Sequence, residues 1–340
     1  MIMRVAFVAR QAGSAAAFVP LIHALQKQNS PPCVIFGLEQ ASSIFTNAGI
    51  NHHCVKDFAA ARADLITARP NILITGTSFS AAEDYQFWNW ARISRISSVA
   101  FVDHWINYPQ RFSSSPNHLF DCLPGYIAVI DQRMRQEICA VGAPESRIIV
   151  LGHPGWDRLS VWRGQRAPEL KKQLAGERKL ILFISEPIAE FYGASLGYTE
   201  NDALLLLRNT LATLDGNYII AVKPHPRQNP QNINLPEDTA NLQMRIVTEG
   251  HWELLAAADI VTGMNSMLLY EATIMGRPVI ALQPGRIAEN LIESPGMIIV
   301  SHPTQAISAI KRALDGEIEL LPQPVPALPC WINWLNSNGF

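Results

Sequence analysis

KLILFIS, Lys179–Ser185, and NYIIAVK, Asn217–Lys223, decide the fold. Each is apolar at nearly every position rather than at every second one, which marks a strand buried on both faces. Asp202–Leu214 between them carries a helical pattern. Doubly buried strands joined by helices build a parallel sheet covered on each side. The pattern runs on through QMRIVT, a helix over Trp252–Ala258, DIVTG, a helix over Met267–Met275, PVIAL, GMIIV and a helix over Thr304–Leu314.

Toward the N-terminus the same alternation fills the first half. RVAFVA (Arg4–Ala9) precedes a helix over Ala15–Gln28, with Phe18, Leu21, Ile22 and Leu25 at helical spacing. CVIFG, NILITG (Asn71–Gly76), SVAFVD (Ser98–Asp103), YIAVID (Tyr126–Asp131) and RIIVLG (Arg147–Gly152) follow, with helices over Ala81–Ile96 and Gln132–Val141 among them. The chain therefore reads as α/β, with two Rossmann-like doubly wound units and no sequence repeat between them. The expected division is a first domain over 1–159, a linker and lead-in helix over 160–178, a second domain over 179–321 and a tail over 322–340 that packs back on the first. Ligands of such sheets bind outside the carboxyl ends of the strands, so two facing units predict a site in the cleft between them.

Composition narrows the partners. The 340 residues are 48% hydrophobic and 16% charged, with a net charge of -2, which leaves no broad basic face for nucleic acid. Any phosphate site has to be local. Cys33, Cys54, Cys122, Cys139 and Cys330 are scattered without a CxxC pair, which predicts buried thiols rather than a disulfide framework or a zinc site. No signal-peptide pattern and no bilayer-length apolar run is present. The expected location is the cytoplasm, with peripheral contact at the inner membrane face left open.

The site candidates sit where strands end. VKPHPRQNP, Val222–Pro230, delivers Lys223, His225 and Arg227 on a turn stiffened by prolines, a geometry suited to an anion. In LLAAADIVTGMNSMLLYEATIMGRPVIALQPG, Leu254–Gly285, a strand ends at Gly263 and Asn265 or Ser266 caps the next helix. Free N–H groups there, from Ser266 and Met267 onward, attract a phosphate, and Glu271 one turn in is placed for a ribose hydroxyl. ISEPIAEFYG, Ile184–Gly193, offers Glu186 at another strand end. In the first half, GTSFSAAED supplies Thr77 and Ser78, and FVDHWINYPQRF supplies Asp103, His104, Trp105, Tyr108 and Arg111; Gly13 allows close backbone approach. An ordinary capped turn and a core aromatic cluster explain the same residues, and both alternatives stay open. His52 and His53 lack further ligands at metal spacing, and Asp57 and Asp64 in DFAAARAD read as a solvated helix. RQAGSA lacks the full GxGxxG spacing, and neither a P-loop nor a GxSxG elbow occurs.

ADIVTGMNSMLLYEATIMGRPVI, Ala258–Ile280, resembles the donor-binding half of GT-B glycosyltransferases and the related nucleotide-sugar epimerases. KPHP, Lys223–Pro226, resembles the HP motif of bacterial capsule enzymes: polysialyltransferases, β-Kdo transferases and glycerophosphotransferases. GHPGWD, Gly152–Asp157, resembles the segment entering the interdomain linker of that superfamily. The resemblance spans both halves and is strongest from Leu151 to Pro284. It implies a bacterial surface-polysaccharide glycosyltransferase that uses a CMP- or UDP-sugar and a glycan or lipid-linked acceptor, with no metal and no cofactor. It also implies that His225 meets the donor phosphate or the leaving group, with Lys223 and Arg227 as charge partners. Prepositioned cations of this kind lower the barrier to departure of an anionic leaving group, and a histidine can donate a proton. On the acceptor side an inverting transferase needs a base, Asp103 first and His104 second, with Trp105 and Arg111 lining the pocket. The rival expectations are a nucleotide-sugar 2-epimerase, a CDP-glycerol glycerophosphotransferase and a non-catalytic nucleotide-binding protein.

Overall fold

The computed structural model describes residues 4–28, 32–78, 81–287 and 296–338. The chain divides into two compact units: Met1–Asp157 with Val325–Phe340, and Arg158–Pro324.

Unit 1 runs β1 (Val5–Ala9), α1 (Ala12–Lys27), β2 (Val34–Gly37), α2 (Glu39–Asn47), β3 (His53–Cys54), α3 (Phe58–Ala68), β4 (Ile72–Thr75), α4 (Ala81–Ile93), β5 (Ser97–Phe101), α5 (Tyr108–Phe112), β6 (Tyr126–Val129), α6 (Gln132–Ala140) and β7 (Ile148–Val150). The seven strands are parallel and lie in the order β3-β2-β1-β4-β5-β6-β7. Every side chain of β1, β2 and β4 is buried, as continuous apolar runs require. Ala6, Val8, Phe36, Leu65, Leu73 and Phe87 form the heart of one core layer. The aspartates of the presumed solvated helix have local duties: Asp57 caps α3 by accepting from Ala60 N–H at 2.9 Å, and Asp64 pairs with His53 at 2.7 Å.

Unit 2 runs α7 (Leu159–Trp162), α8 (Pro168–Ala175), β8 (Lys179–Ile184), α9 (Ile188–Tyr192), α10 (Glu200–Ala212), β9 (Tyr218–Lys223), β10 (Leu242–Ile246), α11 (His251–Ala257), β11 (Ile260–Gly263), α12 (Met267–Ile274), β12 (Val279–Leu282), β13 (Met297–Val300) and α13 (Ala306–Leu314). Its six strands are parallel in the order β10-β9-β8-β11-β12-β13. Phe183, Leu207, Leu211, Ile220, Ile280 and Ile310 belong to its core. Arg163 ties the lead-in segment to the body of the unit: its guanidinium donates to the carbonyls of Ile274 at 2.8 Å and Leu321 at 2.5 Å.

The last helix, α14 (Ala327–Ser337), returns to unit 1. Asp157 accepts from the N–H groups of Ala327 and Leu328, each at 2.7 Å, so a side chain from outside the helix caps its start. Trp331 is fully buried beside Phe101, and its indole N–H donates to the Gly152 carbonyl at 3.1 Å. Among the described residues no helix is long and apolar enough to cross a membrane.

In each sheet the chain begins in the middle, winds outward one way, then returns to wind the other way. The reversal falls between β1 and β4 in unit 1 and between β8 and β11 in unit 2. Loops leaving neighbouring strands diverge at such a point and open a crevice at the carboxyl edge.

Candidate functional site

In unit 2 three neighbouring strands end in step. Lys223 pairs with Ile184, and Thr262 pairs with Phe183 one residue earlier, so β9, β8 and β11 finish level at Lys223, Ile184 and Gly263. The residue two places beyond each end is His225, Glu186 and Asn265 respectively. One strand spacing is about 4.8 Å, which puts the strand ends at Lys223 and Gly263 about 10 Å apart with Ile184 between them. Gly263 keeps the β8–β11 approach tight, since a Cβ there would lie 2.9 Å from the Ile184 carbonyl oxygen.

Glu186 faces the start of α12. Its Oε2 accepts from Asn265 N–H at 2.8 Å, and Ser266 N–H also donates to the carboxylate. The residue as a whole is half-buried. Burial pushes its carboxyl up to about 7, against the pull of the two amides. The expectation of free amides awaiting a phosphate is corrected here: two of them hold a carboxylate of the chain itself. Ser266 does cap the helix, its Oγ accepting from Leu268 N–H at 3.3 Å, and Met267 is the first helical residue. Asn265 is locked by its side chain, donating to the Tyr198 hydroxyl at 2.7 Å and accepting from Gln283 Nε2 at 2.7 Å.

The KPHP turn is held just as closely. His225 N–H donates to Gln228 Oε1 at 2.9 Å, and His225 Nδ1 accepts from Arg227 N–H at 3.2 Å. An accepting Nδ1 leaves the proton of the neutral ring on Nε2, which can donate to a ligand. Burial, then Arg227, lowers the His225 pKa, and Glu190 opposes them. The Phe191 ring meets His225 edge-on at 5.7 Å and carries the Arg227 guanidinium at 5.4 Å. Lys223 closes β9, and its charge helps burial lower His251 on α11. Glu271 Oε2 accepts from Trp252 Nε1 at 3.0 Å, and the Arg158 guanidinium lies 3.9 Å over the Trp252 ring.

Unit 1 gathers a second cluster at the ends of β4 and β5. Arg111 folds back from α5 and is 4% exposed; its Nη1 donates to Thr77 Oγ1 at 2.6 Å and to Asp103 Oδ1 at 3.1 Å. Asp103 reaches the start of α1, where a Cβ on Gly13 would collide with Asp103 Oδ2, so any larger residue there displaces the carboxylate. Ser78 donates through N–H and hydroxyl to Asp84 Oδ2 at 2.7 and 2.8 Å. Burial pushes Asp84 up to about 6, with the Ser78 bonds and Arg10 opposing. Arg10 in turn pairs with Glu39 and Glu83, each at 2.6 Å.

Three expectations for unit 1 change. Burial holds His104 down to about 4, so at neutral pH it is an uncharged ring and a poor base. Trp105 is 7% exposed, stacks on Trp156 at 5.8 Å and donates to Asp131; Tyr108 donates to Glu137 at 2.6 Å. Arg111 is committed to Thr77 and Asp103, so none of these three side chains presents an open face on which a sugar could stack. Among the described residues no group of three His, Cys, Asp or Glu side chains is placed to hold a metal ion.

Sequence reading passed over Asp84, Arg10, Tyr198, Gln283, Arg158 and Trp252. Asp84 closes the GTSFSAAED stretch and Arg158 follows GHPGWD, so position offered a hint for these two. The others act through partners far along the chain.

No family model and no curated protein sequence matches the chain. Solved structures do. UDP-GlcNAc 2-epimerase from Methanocaldococcus jannaschii superimposes with a TM-score of 0.68 at 13% identity, over 99% of this chain and 100% of that one. The Neisseria meningitidis UDP-GlcNAc 2-epimerase bound to UDP-GlcNAc gives 0.66 at 13% identity, over 99% and 100%. A glycosyltransferase from Rickettsia africae gives 0.61 at 12% identity, over 99% and 97%. At such identities the likeness establishes the fold: two parallel-sheet domains with flanking helices, of the GT-B-like kind.

Proposed function

We propose that the chain is an enzyme acting on a nucleotide-activated sugar and that its reaction is transfer of the sugar to an acceptor hydroxyl. The observation that carries this is the level ending of β9, β8 and β11, which brings His225, Glu186 and the α12 start into one row beside Lys223. In this reading unit 2 holds the donor. Its phosphate meets the α12 start, Lys223 and His225 Nε2–H, and Glu271 meets the ribose. Arg227 stiffens the turn from its place over Phe191.

The chemistry follows from charge. The bond from the sugar's anomeric carbon to the phosphate oxygen breaks as the bond to the acceptor oxygen forms. The acceptor's proton passes to a base, for which unit 1 offers the Asp103 carboxylate that Arg111 and Thr77 hold in place. Negative charge gathering on the phosphate meets the Lys223 ammonium and the His225 N–H, groups already oriented when the reaction begins. This account uses no metal and no cofactor. A glycan or lipid-linked acceptor and a cytoplasmic location at the membrane face complete the proposal.

A second reading is a nucleotide-sugar 2-epimerase. It is favoured by Glu186, a carboxyl that titrates near neutrality on the donor side, where proton exchange with the sugar requires such a group. Similar structures whose names specify that activity also lend it support.

The test is incubation with UDP-N-acetylglucosamine, CMP-N-acetylneuraminate or CDP-glycerol, alone and with an oligosaccharide acceptor, followed by product NMR. Transfer predicts turnover that depends on the acceptor. Epimerisation predicts a C2 epimer from donor alone, whereas glycerophosphate appearing on the acceptor would identify a glycerophosphotransferase. A folded protein that binds a donor and turns over none is a binding protein.

A further inference from the structure

The anion already seated at the α12 start is Glu186. Among the described residues no ion pair compensates it: its environment is set by burial and by the Asn265 and Ser266 amides. Tyr192 and Tyr198 face it, and burial holds both phenols neutral at ordinary pH. On the neighbouring strand end, Lys223 presents its carbonyl to Ser185 N–H at 2.9 Å. Arg227 is drawn over Phe191, and Glu190 faces His225. On the far side, Arg286 donates to Gln283. Glu186 is a partly exposed residue, and its carboxyl sits on the amides of the same helix start that the proposed function assigns to the donor phosphate.

Two anions cannot share those amides at full charge. A carboxylate beside a second anion is driven toward its protonated form, as in pairs of acidic groups that hold one proton between them. The neutral acid, in turn, offers an O–H to a phosphate oxygen. Resting on the donor-binding reading above, we infer that Glu186 takes up a proton when a nucleotide phosphate docks at α12 and then contacts that phosphate as a hydrogen-bond donor. No bond to carbon is made or broken in this step; one proton leaves the buffer and joins a Glu186 oxygen. Glu186 therefore couples donor affinity to pH, and binding tightens as pH falls toward neutrality.

The experiment is isothermal titration at pH 8 and pH 6, each in two buffers of different ionisation enthalpy. The probe is UDP-N-acetylglucosamine, whose diphosphate does not titrate in this range; CMP-N-acetylneuraminate and CDP-glycerol are the second and third probes. The wild-type protein takes up close to one proton per site at pH 8 and much less at pH 6, where the acid is already neutral. Glu186→Gln takes up none at either pH. With a carboxyl near 7, the variant binds about tenfold tighter than wild type at pH 8 and about equally at pH 6. A purely structural Glu186 predicts the opposite, a variant weakened equally at both pH values. Donor binding by wild type without proton uptake overturns the inference and leaves the proposed function standing. Failure of all three probes to bind overturns both.

Discussion

His225 and Asp84 are buried to different degrees and answer to different tests. His225 is fixed by its own turn, with Gln228 and Arg227 as its hydrogen-bond partners. Its replacement should leave the core alone. His225→Ala is expected to lower kcat about 10²- to 10³-fold with little change in Tm, the size of effect seen when one prepositioned donor to a developing anion is lost. A drop in Tm with kcat intact would mark it as a structural turn residue. Asp84 is 7% exposed and carries a raised pKa. The folded state therefore binds a proton that the unfolded state has released between about 3.8 and 6. Its contribution to stability is full below the lower value and is lost as pH rises through the upper one. Asp84→Asn removes this dependence. From pH 4 to pH 7, the variant should gain about 2.4 kcal/mol relative to wild type, since 1.36 kcal/mol per pKa unit applies and part of the change is already complete at pH 4. Urea unfolding at both pH values measures it, and a constant difference would refute the assignment.

At the scale of elements, a strand can be recognised from its own residues, whereas a site depends on contacts between distant ones. VAFVA and KLILFI declare themselves as doubly buried strands because each residue's burial follows from its own apolarity. Glu186 and Asn265 stand 79 residues apart, and only the sheet order brings the carboxylate onto the amide. For that reason Glu186 and Ser266 were readable as neighbours of a site, but the occupation of one by the other was not. Trp105 shows the same limit: an aromatic beside an aspartate fits a sugar pocket or a core stack, and Trp156 from a later turn decides for the stack. β3 went unread because two residues carry no period, and α14 because ALPCWINWLNS mixes Pro and Trp without a clear stripe. What α14 lacks in pattern is supplied by Asp157. Asp157→Ala, which strips the cap from Ala327 and Leu328, is expected to cost about 1–2 kcal/mol in denaturant unfolding. Trp331→Ala, by emptying a large fully buried position, should cost about 3–5 kcal/mol.

Across the whole molecule, the two units have the same winding scheme but different furnishings. The crevice of unit 2 carries Lys223, His225 and the α12 start; that of unit 1 carries a carboxylate clamped by Arg111 and Thr77. The proposed division of labour can be followed by hydrogen exchange. UDP-N-acetylglucosamine alone should slow exchange at residues 185–187, 223–228 and 263–269, and leave the ends of β4 and β5 unchanged. Protection centred on unit 1 would reverse the assignment of donor and acceptor sides.

The route of the chain has a consequence for its birth on the ribosome. Trp331 and its helix emerge only after all of Arg158–Pro324 has been synthesised, yet their place is against Phe101 and Gly152. Throughout that interval Phe101 and the Gly152 carbonyl lack the indole that covers them in the finished structure. The first unit is therefore complete only when the last residues of the chain have been made, so its final packing follows synthesis of the second.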